Sequence, residues 1–120
     1  MGKLIYIPLH GRAEPTRMLL NYAGIKFEDE RIPFAEFGSR KAEFPAGQVP
    51  VWINDDGKVY NQSIAIVHAL AREHGFAPKN SLGEWANTWV SETIADFWNK
   101  GLLKKLHPPT ISDEDVKVYA

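Results

Sequence analysis

The sequence has no cysteine among its 120 residues. Disulfide bonds, thiol–disulfide exchange and thiolate zinc sites are therefore excluded. It has little excess of charge of either sign, because the formal net charge is −1, and this gives no electrostatic reason to expect a nucleic acid or an anionic membrane as partner. No apolar run approaches the roughly 18–20 residues of a membrane-spanning helix. The first residues match neither a signal peptide nor a myristoylation pattern, so we expect a cytoplasmic protein.

Hydrophobic residues make up 44% of the chain and charged residues 24%, which is typical of a globular protein. The length fits one ordinary domain with a modest extension. The four histidines show no metal-ligand spacing, and we therefore expect no metal site; they are His10, His68, His74 and His107.

The first 76 residues show a β-α-β pattern, then a loop, then β-β-α. Short apolar or alternating runs predict strands at residues 3–8, 26–32, 49–53 and 58–60. Glu14-Pro15 opens one helix, in which Met18, Leu19, Tyr22 and Ala23 form the predicted buried stripe, and a second helix covers residues 63–74. Residues 33–47 read as a loop with at most one helical turn. The order of elements predicts an α/β fold.

Residues 82 to about 106 read as one long helix with unusually wide apolar coverage. Its tryptophans Trp85, Trp89 and Trp98 spread apolar surface over more than the usual 100° stripe. A helix of this kind needs packing on more than one side. Ser112 and Asp115 resemble a capping box that begins a further helix.

Three motifs carry a resemblance to a known family. They are residues 6–14 (YIPLHGRAE), 47–51 (GQVPV) and 61–66 (NQSIAI). In this order and spacing they resemble three consecutive signatures of cytosolic glutathione transferases, closest to the sigma class, which includes the lens S-crystallins. The resemblance covers residues 3 to about 97. It implies a thioredoxin-like β-α-β-α-β-β-α domain at residues 1–76, a linker at 77–82, and at 83–120 the start of an all-helical domain, which we expect to be truncated. The family is usually homodimeric.

The resemblance also implies a site for glutathione, as co-substrate with no further cofactor. Tyr6 would donate a hydrogen bond to the glutathione sulfur, and Arg12 would add positive potential nearby or pair with Glu14. Gln62 and Ser63 would hold the γ-glutamyl carboxylate, with Ser63 at the N-cap of its helix. Taken alone, Tyr6 could equally be a core tyrosine and Ser63 a simple helix cap.

The remaining residues would bind the rest of the tripeptide. Val49, before a cis Pro50, would present its backbone to the cysteinyl residue, and Lys41 would meet the glycine carboxylate. Phe37 stands where sigma-type sequences place a tryptophan, and Gln48 where a lysine often occurs. Phenylalanine has no hydrogen-bond donor, so glutathione affinity is expected to fall by about 1 kcal/mol.

Asp96 matches the aspartate that reaches the γ-glutamyl amine of a neighbouring subunit, although an isolated helix aspartate is often only solvated. Two functions follow from the resemblance. One is an enzyme that conjugates the glutathione thiolate to small electrophiles, and the other is a non-catalytic, S-crystallin-like protein that keeps the fold and the cleft. A thioredoxin is excluded by the absence of cysteine.

Overall fold

The computed structural model describes residues 1–102. The chain divides into two compact units, Met1–Ala77 and Pro78–Ala120. The helix predicted to begin near Ser112, and the end of the long helix near residue 106, lie outside the described residues.

The first unit contains a mixed four-stranded sheet. Its strands are β1 Gly2–Tyr6, β2 Phe27–Arg31, β3 Val51–Ile53 and β4 Val59–Asn61. They lie in the order β2-β1-β3-β4. Strand β1 pairs parallel with β2 and antiparallel with β3, and β3 pairs antiparallel with β4. All four predicted strands are present, with ends that differ by at most two residues.

Four helices accompany the strands. They are α1 Glu14–Tyr22, α2 Phe34–Arg40, α3 Ser63–Glu73 and α4 Ser81–Phe97. Three short 3₁₀ turns lie at Gly11–Ala13, Lys41–Glu43 and Pro45–Gly47, and a π-helical turn at Trp98–Leu102 continues α4. The predicted α/β, thioredoxin-like β-α-β-α-β-β-α order is confirmed.

The prediction of a loop at residues 33–47 is wrong, because α2 and two 3₁₀ turns occupy most of this segment. The helix has seven residues, none of them is fully buried, and Phe37 is its one apolar residue packed against a core cluster, so its apolar stripe is too short to show a helical period. Its N-cap is Pro33, whose side chain makes no capping hydrogen bond.

The central strands β1 and β3 are buried on both faces of the sheet, as the near-continuous apolar run of β1 requires. Side chains alternate along the strand: Leu4 and Tyr6 belong to one core cluster, and Ile5 belongs to the other. The first cluster also holds Ala13 and Leu20 from the α1 side, Ile66 and Leu70 from α3, and Trp52. The second is smaller and contains Ile32, Phe44 and Val51, with Phe37 packed against it.

The predicted buried stripe of α1 is wrong for Met18 and Tyr22, whereas Leu19 does pack against the first core cluster. Met18 and Tyr22 are 65% and 82% exposed, whereas Thr16, Arg17 and Leu20 are buried. Each residue turns a helix by about 100°, so Met18 and Tyr22, two positions either side of Leu20, lie on the face opposite to it. Leu20 packs into the first core cluster, and the apolar pair therefore points away from that core.

Helix α4 forms the described part of the second unit. Its N-cap is Asn80, whose side-chain oxygen accepts a hydrogen bond from the Gly83 N–H at 2.9 Å. Trp85 and Trp89 stack with ring centroids 5.9 Å apart. No residue of α4 is buried within the described part of the chain. None of the helices in residues 1–102 is long and apolar enough to cross a membrane.

Candidate active site

Sheet topology brings most of the predicted site residues to one end of the sheet. Ile5 in β1 pairs with Val51 in β3, and Val51 pairs with Asn61 in β4. Strands β1 and β4 run towards this end and β3 starts from it. Tyr6, Pro50 and Gln62 each lie one residue beyond this paired row, so the three motifs of the sequence converge here.

Tyr6 is the last residue of β1 and is only 4% exposed. Its Oη accepts a hydrogen bond from the backbone N–H of Arg12 at 3.2 Å. A phenol that accepts at its oxygen still has its own O–H proton to donate. The contact therefore fixes the phenolic oxygen and leaves the proton for another acceptor.

Gly11 makes this approach possible. Its φ is +43°, in the region that residues with a Cβ avoid, and a Cβ placed there would lie 2.7 Å from the Tyr6 Oη. The glycine thus allows the turn after β1 to fold back onto the phenol and to present the Arg12 N–H.

The backbone N–H of Arg12 contacts Tyr6, and the Glu14 carboxylate contacts the side chains of Arg17 and His10. The Glu14 Oε2 lies 3.1 Å from Arg17 Nη1 and 3.1 Å from His10 Nδ1. Burial opposes ionisation of Glu14, but the hydrogen bonds from Arg17 and His10 outweigh it and lower the pKa of this carboxyl.

Arg17, which no motif in the sequence indicates, lies beside the candidate site. Its side chain is buried beneath the turn that follows β1. Its Nε donates to Asp29 Oδ1 at 3.1 Å, and its Nη1 donates to the carbonyl oxygens of Leu9 and His10 at 2.8 and 3.3 Å. Its guanidinium carbon lies 5.9 Å from the centroid of the Tyr6 ring.

A sequence signal for Arg17 does exist. Ala13, Thr16, Arg17 and Leu20 follow the i, i+3, i+4, i+7 spacing of a buried helix stripe. All four are buried in the structure. An arginine in such a row indicates a buried, partnered charge.

The Val49–Pro50 peptide bond is cis, as the family resemblance implied. Pro50 is buried, and Val49 packs against both core clusters. Strand β3 begins only at Val51, which leaves the Val49 backbone outside the sheet ladder. Gln48, just before it, is exposed.

The start of α3 differs by one residue from the prediction. The N-cap is Gln62, and Ser63 is the first helical residue, so the predicted N-cap role of Ser63 is wrong. The first backbone bond of the helix joins the Ile66 N–H to the Gln62 carbonyl at 2.9 Å. The preceding N–H groups have no acceptor within the helix, and they and the helix dipole favour an anion at this position.

Gln62 has an unusual backbone conformation, with φ 71° and ψ 112°. This lies outside the regions that side chains with a Cβ normally adopt. Its side chain is exposed and makes no capping hydrogen bond, so it gains little packing in return. Such strain is concentrated at functional sites.

Phe37 and Lys41 lie on α2 and the 3₁₀ turn that follows it. Phe37 is half-buried against the second core cluster, against which Val49 also packs. The Lys41 Nζ lies 5.7 Å from the centroid of the Phe37 ring, within the range of a cation–π contact. The aromatic ring thus contacts the lysine that was predicted to bind a carboxylate.

An ion-pair network fastens α2 to the sheet. Glu30 in β2 pairs with Lys3 at 2.5 Å and with Arg40 at 2.7 Å, and Arg40 also pairs with Glu43 at 3.0 Å. The hydrogen bonds from Lys3 and Arg40 lower the pKa of Glu30, while the bond to Glu30 raises the pKa of Lys3. The charges therefore link β1, β2 and the end of α2.

Asp96 is the one predicted site residue outside the first unit. It lies on α4 and is exposed. The nine others, from Tyr6 to Ser63, all belong to Met1–Ala77. No group of three or more His, Cys, Asp or Glu residues with a metal-binding arrangement occurs among residues 1–102.

Comparison with known proteins assigns the family. The model of the glutathione S-transferase N-terminal domain matches residues 12–73, just over half of the chain. The chain belongs to the glutathione S-transferase family. The match begins at Arg12 and ends at the last residue of α3, so it covers most of the first unit.

Individual family members agree with this assignment. Glutathione S-transferase 3 of Caenorhabditis elegans is 42% identical over 95 residues, which are 79% of this chain and 45% of that protein. Hematopoietic prostaglandin D synthase of Gallus gallus is 39% identical over 118 residues, 98% of this chain and 56% of that protein. The sigma-class glutathione S-transferase structure of Fasciola hepatica matches with a TM-score of 0.82 and 29% identity, covering 98% of this chain and 58% of that one. The chain spans about half the length of the curated relatives it matches.

Proposed function

We propose that this glutathione S-transferase chain binds glutathione at the strand ends and uses the Tyr6 hydroxyl to stabilise the thiolate for attack on a small electrophile. The observation that carries the proposal is the hydrogen bond from the Arg12 N–H to the Tyr6 Oη. It immobilises the phenol with its proton free to point at a sulfur atom.

The chemistry follows from that proton. A hydrogen bond to the charged form of an acid favours that form, and each unit of pKa lowering corresponds to about 1.4 kcal/mol. The glutathione thiol first loses its proton to water. The thiolate sulfur supplies the electron pair of the new C–S bond, and the leaving group departs with the pair of the bond that breaks. Tyr6 keeps its proton throughout and acts as a donor only.

Three features offer partners along the length of the tripeptide. The N-terminus of α3, at Gln62 and Ser63, suits the γ-glutamyl carboxylate. The Val49 backbone, outside the sheet ladder, suits the cysteinyl amide groups. Lys41 suits the glycine carboxylate, with the Phe37 ring beneath its ammonium group.

The same proposal includes the class of the enzyme, its compartment, its assembly and the role of Asp96. We place the chain with the sigma class, in a cytoplasmic homodimer that acts in detoxification, with Asp96 reaching the γ-glutamyl amine of the neighbouring subunit. The three motifs support the class, and the sigma-class structural match supports it too. The absence of an indole N–H at Phe37 supports a glutathione affinity about 1 kcal/mol weaker than a tryptophan would give.

The test compares Tyr6→Phe with Tyr22→Phe. Each variant loses one phenolic oxygen, but Tyr22 is on the exposed face of α1 and so serves as the control. Calorimetric titration measures glutathione affinity, and the ultraviolet absorbance of the thiolate against pH measures the thiol pKa. We expect Tyr6→Phe to keep the affinity and to raise the thiol pKa by about one unit or more, with Tyr22→Phe unchanged.

Two further variants test the binding map. Ser63→Ala and Lys41→Ala should each weaken glutathione binding without changing the thiol pKa in the bound state. If the wild-type protein binds no glutathione at millimolar concentration, the proposal is wrong. If it binds glutathione with the pKa of the free thiol, the non-catalytic, S-crystallin-like function is the correct one.

A further inference from the structure

We propose that Arg17 is a positioning residue that holds the Tyr6 hydroxyl in its donating geometry. This inference rests on the proposed function, in which Tyr6 donates to the glutathione sulfur. Arg17 makes no hydrogen bond with the phenolic oxygen, and it acts through the turn that follows β1 and through the Tyr6 ring.

The side chain of Arg17 is a buried charge with anionic partners on two elements. The residue is 4% exposed. Its guanidinium donates to Asp29 of β2 and to Glu14 of α1, both at 3.1 Å. A buried charge is strongly unfavourable unless it is paired and hydrogen-bonded, so these contacts keep the guanidinium in one place.

In this buried position the Arg17 guanidinium restrains the turn that follows β1. Its Nη1 donates to the Leu9 and His10 carbonyl oxygens, which lie in the segment between Tyr6 and Gly11. The same segment leads directly into Arg12, whose N–H donates to the Tyr6 Oη. Fixing the two carbonyl groups therefore fixes the donor that orients the phenol.

Arg17 also acts on the ring. Its guanidinium carbon is 5.9 Å from the ring centroid, within the range of a cation–π contact. Its Nη2 is buried and has no hydrogen-bond acceptor in the described part of the chain. The electron-rich ring face of Tyr6 offers this cation a favourable surface, and the contact restrains the ring.

A buried ion pair is by itself weak evidence that Arg17 is present for stability. Buried ion pairs replaced by apolar side chains of similar size often leave a protein equally stable or more so. Arg17 lies in the buried stripe of α1, next to Thr16 and Leu20, where a methionine would fit the pattern. The hydrogen bonds to the turn and the contact with the Tyr6 ring explain why an arginine, rather than an apolar residue, occupies this position.

The experiment uses Arg17→Met and Arg17→Lys, with Arg31→Met as the matched control. Arg31 pairs with the other oxygen of the same aspartate, at 3.1 Å from Nε to Asp29 Oδ2, and is 44% exposed. Arg31→Met therefore removes one positive charge and one ion pair with Asp29, as Arg17→Met does, but it removes no hydrogen bond to the turn after β1. Native-state hydrogen exchange of the Arg12 amide is measured first, without glutathione.

We expect Arg12 amide exchange in Arg17→Met to be faster by on the order of ten-fold, relative to the amides of β1 and β3, and unchanged in Arg31→Met. With glutathione bound, the thiolate fraction near neutral pH should fall by on the order of ten-fold while affinity is kept, as for Tyr6→Phe. Arg17→Lys keeps the charge but not the planar fork, so it should give an intermediate result. If Arg17→Met does not fold, Arg17→Lys decides the question by the same two measurements.

Two results would overturn the inference. The first is an Arg17→Met protein whose Arg12 amide exchange and bound-thiol pKa both match wild type. The second is an equal acceleration of exchange at all amides in the Arg17 and Arg31 variants. Failure of the proposed function is distinguishable from either. A wild-type protein that binds no glutathione would refute the glutathione proposal, while the exchange data without ligand would still support or refute the role of Arg17.

Discussion

The strained backbone at Gln62 makes a prediction in which stability and binding change in opposite directions. Replacing Gln62 with glycine removes the Cβ that makes φ 71° unfavourable. It sacrifices little packing, because the side chain is exposed. We therefore expect Gln62→Gly to stabilise the first unit and to weaken glutathione binding.

The magnitude follows from two opposing effects. A residue held in a sparsely populated backbone region costs about 1–3 kcal/mol. Glycine offsets part of the gain by about 0.4–1 kcal/mol, because it increases the entropy of the unfolded chain. The net stabilisation is therefore about 1 kcal/mol, which corresponds to a rise in Tm of roughly 4–8 °C for a unit of this size.

Gln62→Ala is the matched control. Alanine also removes the amide side chain but keeps the Cβ, so it should bind glutathione as weakly as the glycine variant without the rise in Tm. Thermal and urea unfolding followed by far-ultraviolet circular dichroism measure the stability, and calorimetry measures the affinity. If Gln62→Gly is no more stable than Gln62→Ala, the backbone at this position is not strained and the reasoning fails.

Three other substitutions test separate parts of the structure. Gly11→Ala places a Cβ 2.7 Å from the Tyr6 Oη, so the thiol pKa of bound glutathione should rise by about one unit in a thiolate absorbance titration; an unchanged value would contradict the fold-back geometry. Glu30 has a folded-state pKa below its ordinary value of 4.5, so its contribution to stability is present above that pH and is lost as the pH falls below it. Urea unfolding of Glu30→Gln should therefore show about 1–2 kcal/mol less stability at pH 7 and a flatter acid dependence, and a curve parallel to wild type would argue against the network. Ala46→Gly relieves φ 55° in the turn before the cis proline, and urea unfolding should show a gain of about 1 kcal/mol with glutathione affinity unchanged; no gain would mean that this turn is relaxed.

The order of elements could be predicted from the sequence because most of the elements bury apolar residues at the period of their own structure. Strand β1 is recognisable since Leu4, Ile5 and Tyr6 fill both faces of the sheet. Helix α2 was missed for the converse reason. None of its residues is fully buried, so only the family resemblance indicated it.

The positions of the candidate site residues could be predicted where a sequence motif includes them, but not where a three-dimensional contact brings a residue to the site. The motifs led to Tyr6 and the cis Pro50, which the structure brings to one end of the sheet. Arg17 escaped notice because a charged residue is normally assigned to the solvated face of a helix. Conversely, apolar residues are normally assigned to the buried face, so Met18 and Tyr22 predicted the wrong face of α1 as buried.

The four tryptophans are distributed so that each unit carries its own spectroscopic reporter. Trp52 is the only one in Met1–Ala77 and is buried, so its emission should be blue-shifted and should follow the unfolding of the sheet. Trp85 and Trp89 are exposed and stacked 5.9 Å apart, close enough for their indole transitions to couple. That coupling should give α4 an exciton signal in circular dichroism, and melting of the helix could then be followed separately from loss of the sheet.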